Sequence, residues 1–377
     1  MRFLPFFLAL LSLFATAVQA NEPPPALAAR AWILIDHTSG QVLAAQNPDQ
    51  KVEPASLTKM MTSYLVYAAL KDGKLKRDQV VPVSEKAWKT QGSRMFIDLK
   101  IPVTVDELLR GMVIQSGNDA SIALAEATAG SEEAFASLMN AEARRLGLAN
   151  THFVNSTGLP DPAHMTSAED LARLTTALIR DFPEDYKLYA VKDYTYNKIK
   201  QPNRNRLLWS NPTIDGVKTG HTETAGYCLV ASQNDGARRL TTVVLGTASD
   251  NARVQETLAL LHYGFRAYEA VKVYDKGQAL TQLKIYKGAQ ATVGAGFAEN
   301  LVLSLPRGVA SNSERLKVEI ASRQPLLAPV RQGDAIATLR LMLDGKPYGE
   351  YPLIALAEVP VAGIFGRAWD SLRLWFK

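Results

Sequence analysis

The sequence is nearly without cysteine. Cys228 stands alone, so no intramolecular disulfide can form and stability must come from buried apolar surface. It lies within the apolar run Gly226-Tyr227-Cys228-Leu229-Val230, which marks a small core residue rather than a nucleophile. Histidine is scarce as well. His37, His152, His164, His221 and His262 are scattered, and no His-Glu-x-x-His occurs, so no metal or other cofactor is called for and a metallopeptidase is excluded. The formal charge of +5 comes from dispersed Lys and Arg with no basic block, which predicts a solvated surface and no nucleic-acid partner. Past residue 20, no apolar run is long enough to cross a bilayer. Internal repeats and low-complexity segments are missing too.

What is present begins with an export signal. Met1-Arg2 supplies a positive start, Phe3 to Val18 is almost wholly apolar, and Val18-Gln19-Ala20 places small residues at a cleavage site. This predicts a signal peptide over residues 1–20 and an exported chain beginning at Asn21, with an uncleaved membrane anchor as the alternative. Residues 21–29, rich in Pro and Ala, read as a linker. The 377 residues are enough for two or three domains.

Ala31 to Asp36 reads as a buried strand, with Gln41 to Ala44 as its hairpin partner. Helical spacing follows over Leu57–Leu70, then from Thr104 to Leu146 in three pieces, and over Ser167–Arg180. Thr104 with Glu107 forms a capping-box pattern. Ile214–Thr219, Tyr227–Ser232 and Leu240–Gly246 are short β runs, and Asp250–Tyr268 is helical again. The order predicts an α+β domain over 30–269, an antiparallel sheet with helices packed against it. Residues 270–360 hold only short β runs between turn residues and predict a small all-β domain. In the final stretch, 361–377, Ile364, Phe365, Ala368, Trp369, Leu372, Trp375 and Phe376 fall within about 140° of an ideal helix. Arg367, Asp370, Arg373 and Lys377 lie opposite, and only Leu374 breaks the pattern. Such a helix fits a membrane surface; docking on its own domain is the alternative.

Three short patterns carry chemistry. In Ser56-Leu57-Thr58-Lys59, residues three apart share a helix face, so hydroxyl and amine can meet. A serine needs a base, and a lysine serves only if its charged form is disfavoured. Ser116-Gly117-Asn118 sits at a helix junction and offers a second hydroxyl and an amide. The same spacing in Ser232-Gln233-Asn234 and Ser249-Asp250-Asn251 is better read as a hairpin turn and a helix cap. Lys218-Thr219-Gly220, before His221, offers a cation, a hydroxyl and room for a substrate beside a strand edge.

In this order the three patterns resemble the signature of penicillin-binding proteins and serine β-lactamases. The longer strings Pro54–Thr62, Gln115–Ala120 and Asp215–Thr222 look like the low-molecular-mass D-alanyl-D-alanine carboxypeptidases of peptidase family S11. The resemblance spans essentially the whole mature chain. It implies a transpeptidase-like α+β fold with a C-terminal β domain and an amphipathic membrane-anchor helix. It also implies removal of the terminal D-alanine from peptidoglycan pentapeptides, with β-lactams as inhibitors. Carried over by position, Ser56 is the nucleophile and Lys59 its base. Ser116 with Lys218 passes a proton to the departing D-alanine, and Asn118 orients the acyl peptide. Lys218, Thr219 and Arg204 hold the terminal carboxylate, with a surface role as the alternative for Arg204. Gly220 gives access to the strand, and the backbone N–H groups of Ser56 and His221 form the oxyanion hole. Arg253 is expected on a helix surface, with a place in the site as the alternative.

A class A β-lactamase would need a glutamate on the loop after Ser-x-Asn, but Asn155–Ser167 carries only Asp161 as an acid. A D,D-endopeptidase would share every catalytic group. A non-enzymatic wall-binding protein on this fold is the remaining alternative, set against three intact motifs.

Overall fold

The computed structural model describes residues 22–310 and 314–375. The expected signal peptide therefore lies outside the described residues, as do Phe376 and Lys377 of the terminal pattern. The first domain is built on five antiparallel strands: β1 (Ala31–Asp36), β2 (Gln41–Gln46), β3 (Ile214–Thr222), β4 (Gly226–Asn234) and β5 (Arg239–Thr247). Their order is β2-β1-β5-β4-β3, so β3, with Lys218, forms one edge.

Six longer elements surround the sheet: α1 (Lys59–Lys71), α2 (Val105–Arg110), α3 (Asn118–Ala129), α4 (Glu132–Arg145), α5 (Ala168–Asp181) and α6 (Asp250–Ala267). Their starts are written locally. Ser131, Ser167 and Ser249 each accept a backbone N–H from the third residue on. Thr104 and Glu107 make the reciprocal capping box ahead of α2.

Both faces of the sheet are covered, which explains why β1 reads as a continuous apolar run. Ile33 and Ile35 face the larger core with Leu57, Met60, Tyr64 and Leu174, while Trp32 and Leu34 face a second core with Leu260 and Leu261 of α6. Residues 22–29, read as a linker, lie along α6 instead. Glu22 pairs with Arg266, its carbonyl accepts from Tyr263 at 3.0 Å, and the Ala29 N–H donates to Glu256 at 3.0 Å. A charged helix surface offered partners that composition does not reveal.

The second domain follows α6 directly. Strand Tyr268–Tyr274 pairs with Leu301–Pro306, and six further strands form a sheet around Leu303, Leu339, Leu341 and Leu353. It meets the first domain at a buried polar junction. Arg238 Nε donates to Asp36 at 2.5 Å, and the Ser304 hydroxyl donates to the same carboxylate. Ser304 N–H also donates to Gln41 at 2.7 Å.

A terminal helix, Ile364–Trp375, closes the chain. Asp370 accepts from the Lys287 backbone N–H at 2.5 Å, so its polar side meets the β domain. The apolar side stays in solvent: Phe365 is 92% exposed and Trp375 86%. Among the described residues, no helix is long and apolar enough to cross a membrane.

Candidate active site

Ser56 lies in a 3-10 turn, Ala55–Thr58, that runs straight into α1. That turn is pressed on two sides. A Cβ on Gly220 of β3 would sit 2.9 Å from the Pro54 carbonyl oxygen, so glycine is what lets the strand back onto it. On the other side Gly158, at φ +81°, leaves no room at all: a Cβ there would fall 1.7 Å from the Ala55 oxygen.

Lys59 is 1% exposed, and its Nζ reaches three oxygens: Ser56 Oγ at 3.0 Å, Asn118 Oδ1 at 2.7 Å and the Thr157 carbonyl at 2.7 Å. The Asn118 amide is oriented by its own Nδ2, which donates to the Gln91 carbonyl at 2.7 Å. Asn118 Oδ1 and Thr157 O can only accept. A neutral Lys59 therefore spends its two N–H bonds on them and is left with a lone pair facing the serine hydroxyl. Burial favours that neutral form and lowers the Lys59 pKa to about 7, with Arg204 pulling the same way and Asp119 and Glu132 opposing.

Ser116 follows a π-helical turn, Gly111–Gln115, and takes φ +70°, uncommon for a residue with a Cβ. Lys218, 2% exposed, reaches across from β3 and donates to Ser116 Oγ at 2.9 Å. Burial, reinforced by the charges of Lys59, Arg204 and Arg253, holds its pKa well below the ordinary lysine range.

Arg204 is set over the cleft by its neighbours. Asn205 Nδ2 donates to the Gly216 carbonyl and Asn203 Nδ2 to that of Val191, each at 2.9 Å, pinning the turn between them. The guanidinium then donates to Gln115 O at 3.1 Å and Ser93 Oγ at 2.9 Å. Arg253 does not lie on a helix surface, the preferred expectation, but lines the cleft, the alternative one. It is buried, donates to the Gly220 carbonyl at 3.0 Å and stacks over Tyr227, whose ring stacks on His221 at 4.0 Å. The helical pattern around it gave no sign, because what buries it is β3 and β4.

The result is one cleft of about 840 Å³. Ser56, Ser116, Asn118, Arg204, Thr219, Gly220 and His221 line it, while Lys59 and Lys218 sit beneath, bonded to the two serines. Sequence reasoning missed Thr157, whose contribution is a backbone carbonyl and so leaves no side-chain signature. Its turn was legible: Asn155 Oδ1 accepts from the N–H groups of Thr157 and Gly158.

Residues 16–249 match the family model described as D-alanyl-D-alanine carboxypeptidase, peptidase S11. The chain belongs to this family. Residues 268–361 of the carboxypeptidase match a second model, the C-terminal domain of penicillin-binding protein 5. It is 44% identical to D-alanyl-D-alanine carboxypeptidase DacC of Escherichia coli K12, over 98% of this chain and 94% of the relative. Among solved structures, penicillin-binding protein 5 of Haemophilus influenzae superposes with a TM-score of 0.84 at 40% identity, covering 90% of this chain and 99% of that one. Penicillin-binding protein D2 of Listeria monocytogenes, solved in an ampicillin-bound form, gives 0.60 at 30% identity over 65% of this carboxypeptidase and 100% of its own chain. With the cleft, these likenesses make the protein a D-alanyl-D-alanine carboxypeptidase on an α+β penicillin-binding-protein fold with a C-terminal β domain.

Proposed function

We propose that the carboxypeptidase removes the terminal D-alanine of peptidoglycan pentapeptides through an ester formed on Ser56. The observation that carries this is the buried Lys59 Nζ, 3.0 Å from Ser56 Oγ and bonded to two oxygens that can only accept. Lys59 Nζ takes the hydroxyl proton as Ser56 Oγ attacks the carbonyl carbon between the two D-alanines. Negative charge then develops on the carbonyl oxygen, against the N–H groups of Ser56 and His221. The C–N bond breaks, and the departing amine takes a proton through Ser116 and Lys218. Asn118 orients the acyl peptide, and Thr219, Lys218 and Arg204 hold the leaving carboxylate. Water cleaves the ester and restores Ser56. A β-lactam acylates the same oxygen.

The β-lactamase alternative finds no support here. Asp161 is absent from the cleft wall, and its carboxylate accepts from the Ala163 N–H at 2.8 Å. Ser56→Ala should abolish both penicillin labelling and D-alanine release; labelling that survived on another serine would sink the assignment.

The reading extends to place. An exported enzyme held at the periplasmic face of the inner membrane by its terminal helix accounts for the exposed Phe365 and Trp375, with the β domain as spacer. Deleting residues 361–377 should move the protein from the membrane fraction to the soluble one, and unchanged membrane association would refute the anchor.

A further inference from the structure

Glu132 is a buried carboxylate that the reaction as described does not use. It sits at the first position of α4 and is 7% exposed. One oxygen, Oε1, accepts twice from Ser156, from its N–H at 3.0 Å and its hydroxyl at 2.7 Å. The other pairs with Lys86 at 2.9 Å. Ser156 is held equally firmly on its far side, where its carbonyl accepts from Thr62 Oγ1 of α1 and from Ser121 Oγ of α3, each at 2.7 Å. Three helices thus fix one residue. The next carbonyl along the chain is that of Thr157, the acceptor for Lys59 Nζ at 2.7 Å.

We infer that Glu132 is a positioning residue of the carboxypeptidase reaction: through Ser156 it aims the Thr157 carbonyl at Lys59, and so turns the lone pair of that amine toward Ser56. The inference rests on Lys59 being the base. Without the Thr157 acceptor in place, an N–H of the neutral amine is free to rotate toward Ser56 Oγ, and the hydroxyl loses its proton acceptor. Glu132 also acts by charge. It favours the ammonium form of Lys59, as Asp119 does, against Arg204, and it does so from a fixed place in a dry site. Lys218 and His164 are the other titratable groups coupled to Lys59. Geometry and charge can be separated. Gln at this position keeps an oxygen for Ser156 and drops the charge, whereas Ala removes both.

The test is the pH dependence of acylation by a fluorescent penicillin, with D-alanine release from a pentapeptide, for wild type, Glu132→Gln, Glu132→Ala and Ser156→Ala. The acid limb of Glu132→Gln should move to lower pH with its plateau within about threefold of wild type, since the amine is still aimed. Glu132→Ala should lose roughly 10- to 100-fold at the plateau, in kcat rather than KM, the scale of a misplaced reacting group. Ser156→Ala keeps its N–H bond to Glu132 and should fall between them, which covers the case in which Glu132→Ala does not fold. An unmoved limb in Glu132→Gln, or equal plateaus in all four proteins, would overturn the inference while leaving the acyl-enzyme reading intact. Undiminished acylation in Lys59→Ala would remove the base itself, and this inference with it.

Discussion

Lys218 and Ser116, 102 positions apart in the chain, meet in the buried floor of the cleft with Nζ 2.9 Å from Oγ. Ser116 stands in a left-handed turn on one wall, and Lys218 on the edge strand that forms the other. In the proposed reaction the proton handed to the leaving amine passes through this contact. Ser116→Ala should therefore lower kcat for D-alanine release by about 10²-fold or more, with KM changed far less, because the pair acts in the transition state. Steady-state kinetics on a pentapeptide decides it, and a change confined to KM would assign Ser116 to binding alone.

The second prediction concerns pH. Lys59 works as a base only when neutral, and burial has brought its pKa down to about 7. Acylation should rise with pH through about 7 and fall about tenfold per unit below it. The sign is that of a lysine with a depressed pKa: the ammonium dominates on the acid side, where no lone pair remains for Ser56. A rate of penicillin acylation flat between pH 5 and 9 would contradict this.

The third is steric. Gly158 carries φ +81°, and its missing Cβ would lie 1.7 Å from the Ala55 oxygen and 2.8 Å from Thr58 Oγ1. Gly158→Ala must push the loop off the turn that carries Ser56. The expected cost is roughly 2–4 kcal/mol of stability, combining overpacking with backbone strain. Penicillin labelling should drop further than that loss of folded protein explains. Denaturant unfolding beside labelling separates the two effects.

The fourth lies at the domain junction. Asp36 is fully buried, and Arg238 and Ser304 converge on the same carboxylate oxygen. Arg238→Ala leaves that charge without its cation and should destabilise the protein by about 3–5 kcal/mol. Calorimetry should show the loss. A near-neutral result would mean that water enters the junction and replaces the guanidinium.

Much of this was readable before folding. Ser56 and Lys59 are one helical turn apart, so their meeting at 3.0 Å follows from the geometry of a single segment. The caps at Thr104, Ser131, Ser167 and Ser249 are equally local, as is the amphipathic face of the terminal helix. The three motifs also named their own side chains, since each carries its chemistry in a hydroxyl, an amine or an amide.

What tertiary structure alone decided is how those groups are aimed. The Thr157 carbonyl, the Glu132 clamp behind it and the burial of Arg253 beside Gly220 join segments tens of residues apart or more. Sequence determines a side chain's chemistry and its near neighbours, because backbone geometry repeats over a few residues. The direction of a backbone carbonyl and the solvent left around a lysine depend on which distant surfaces close over them, and only the packed chain settles that.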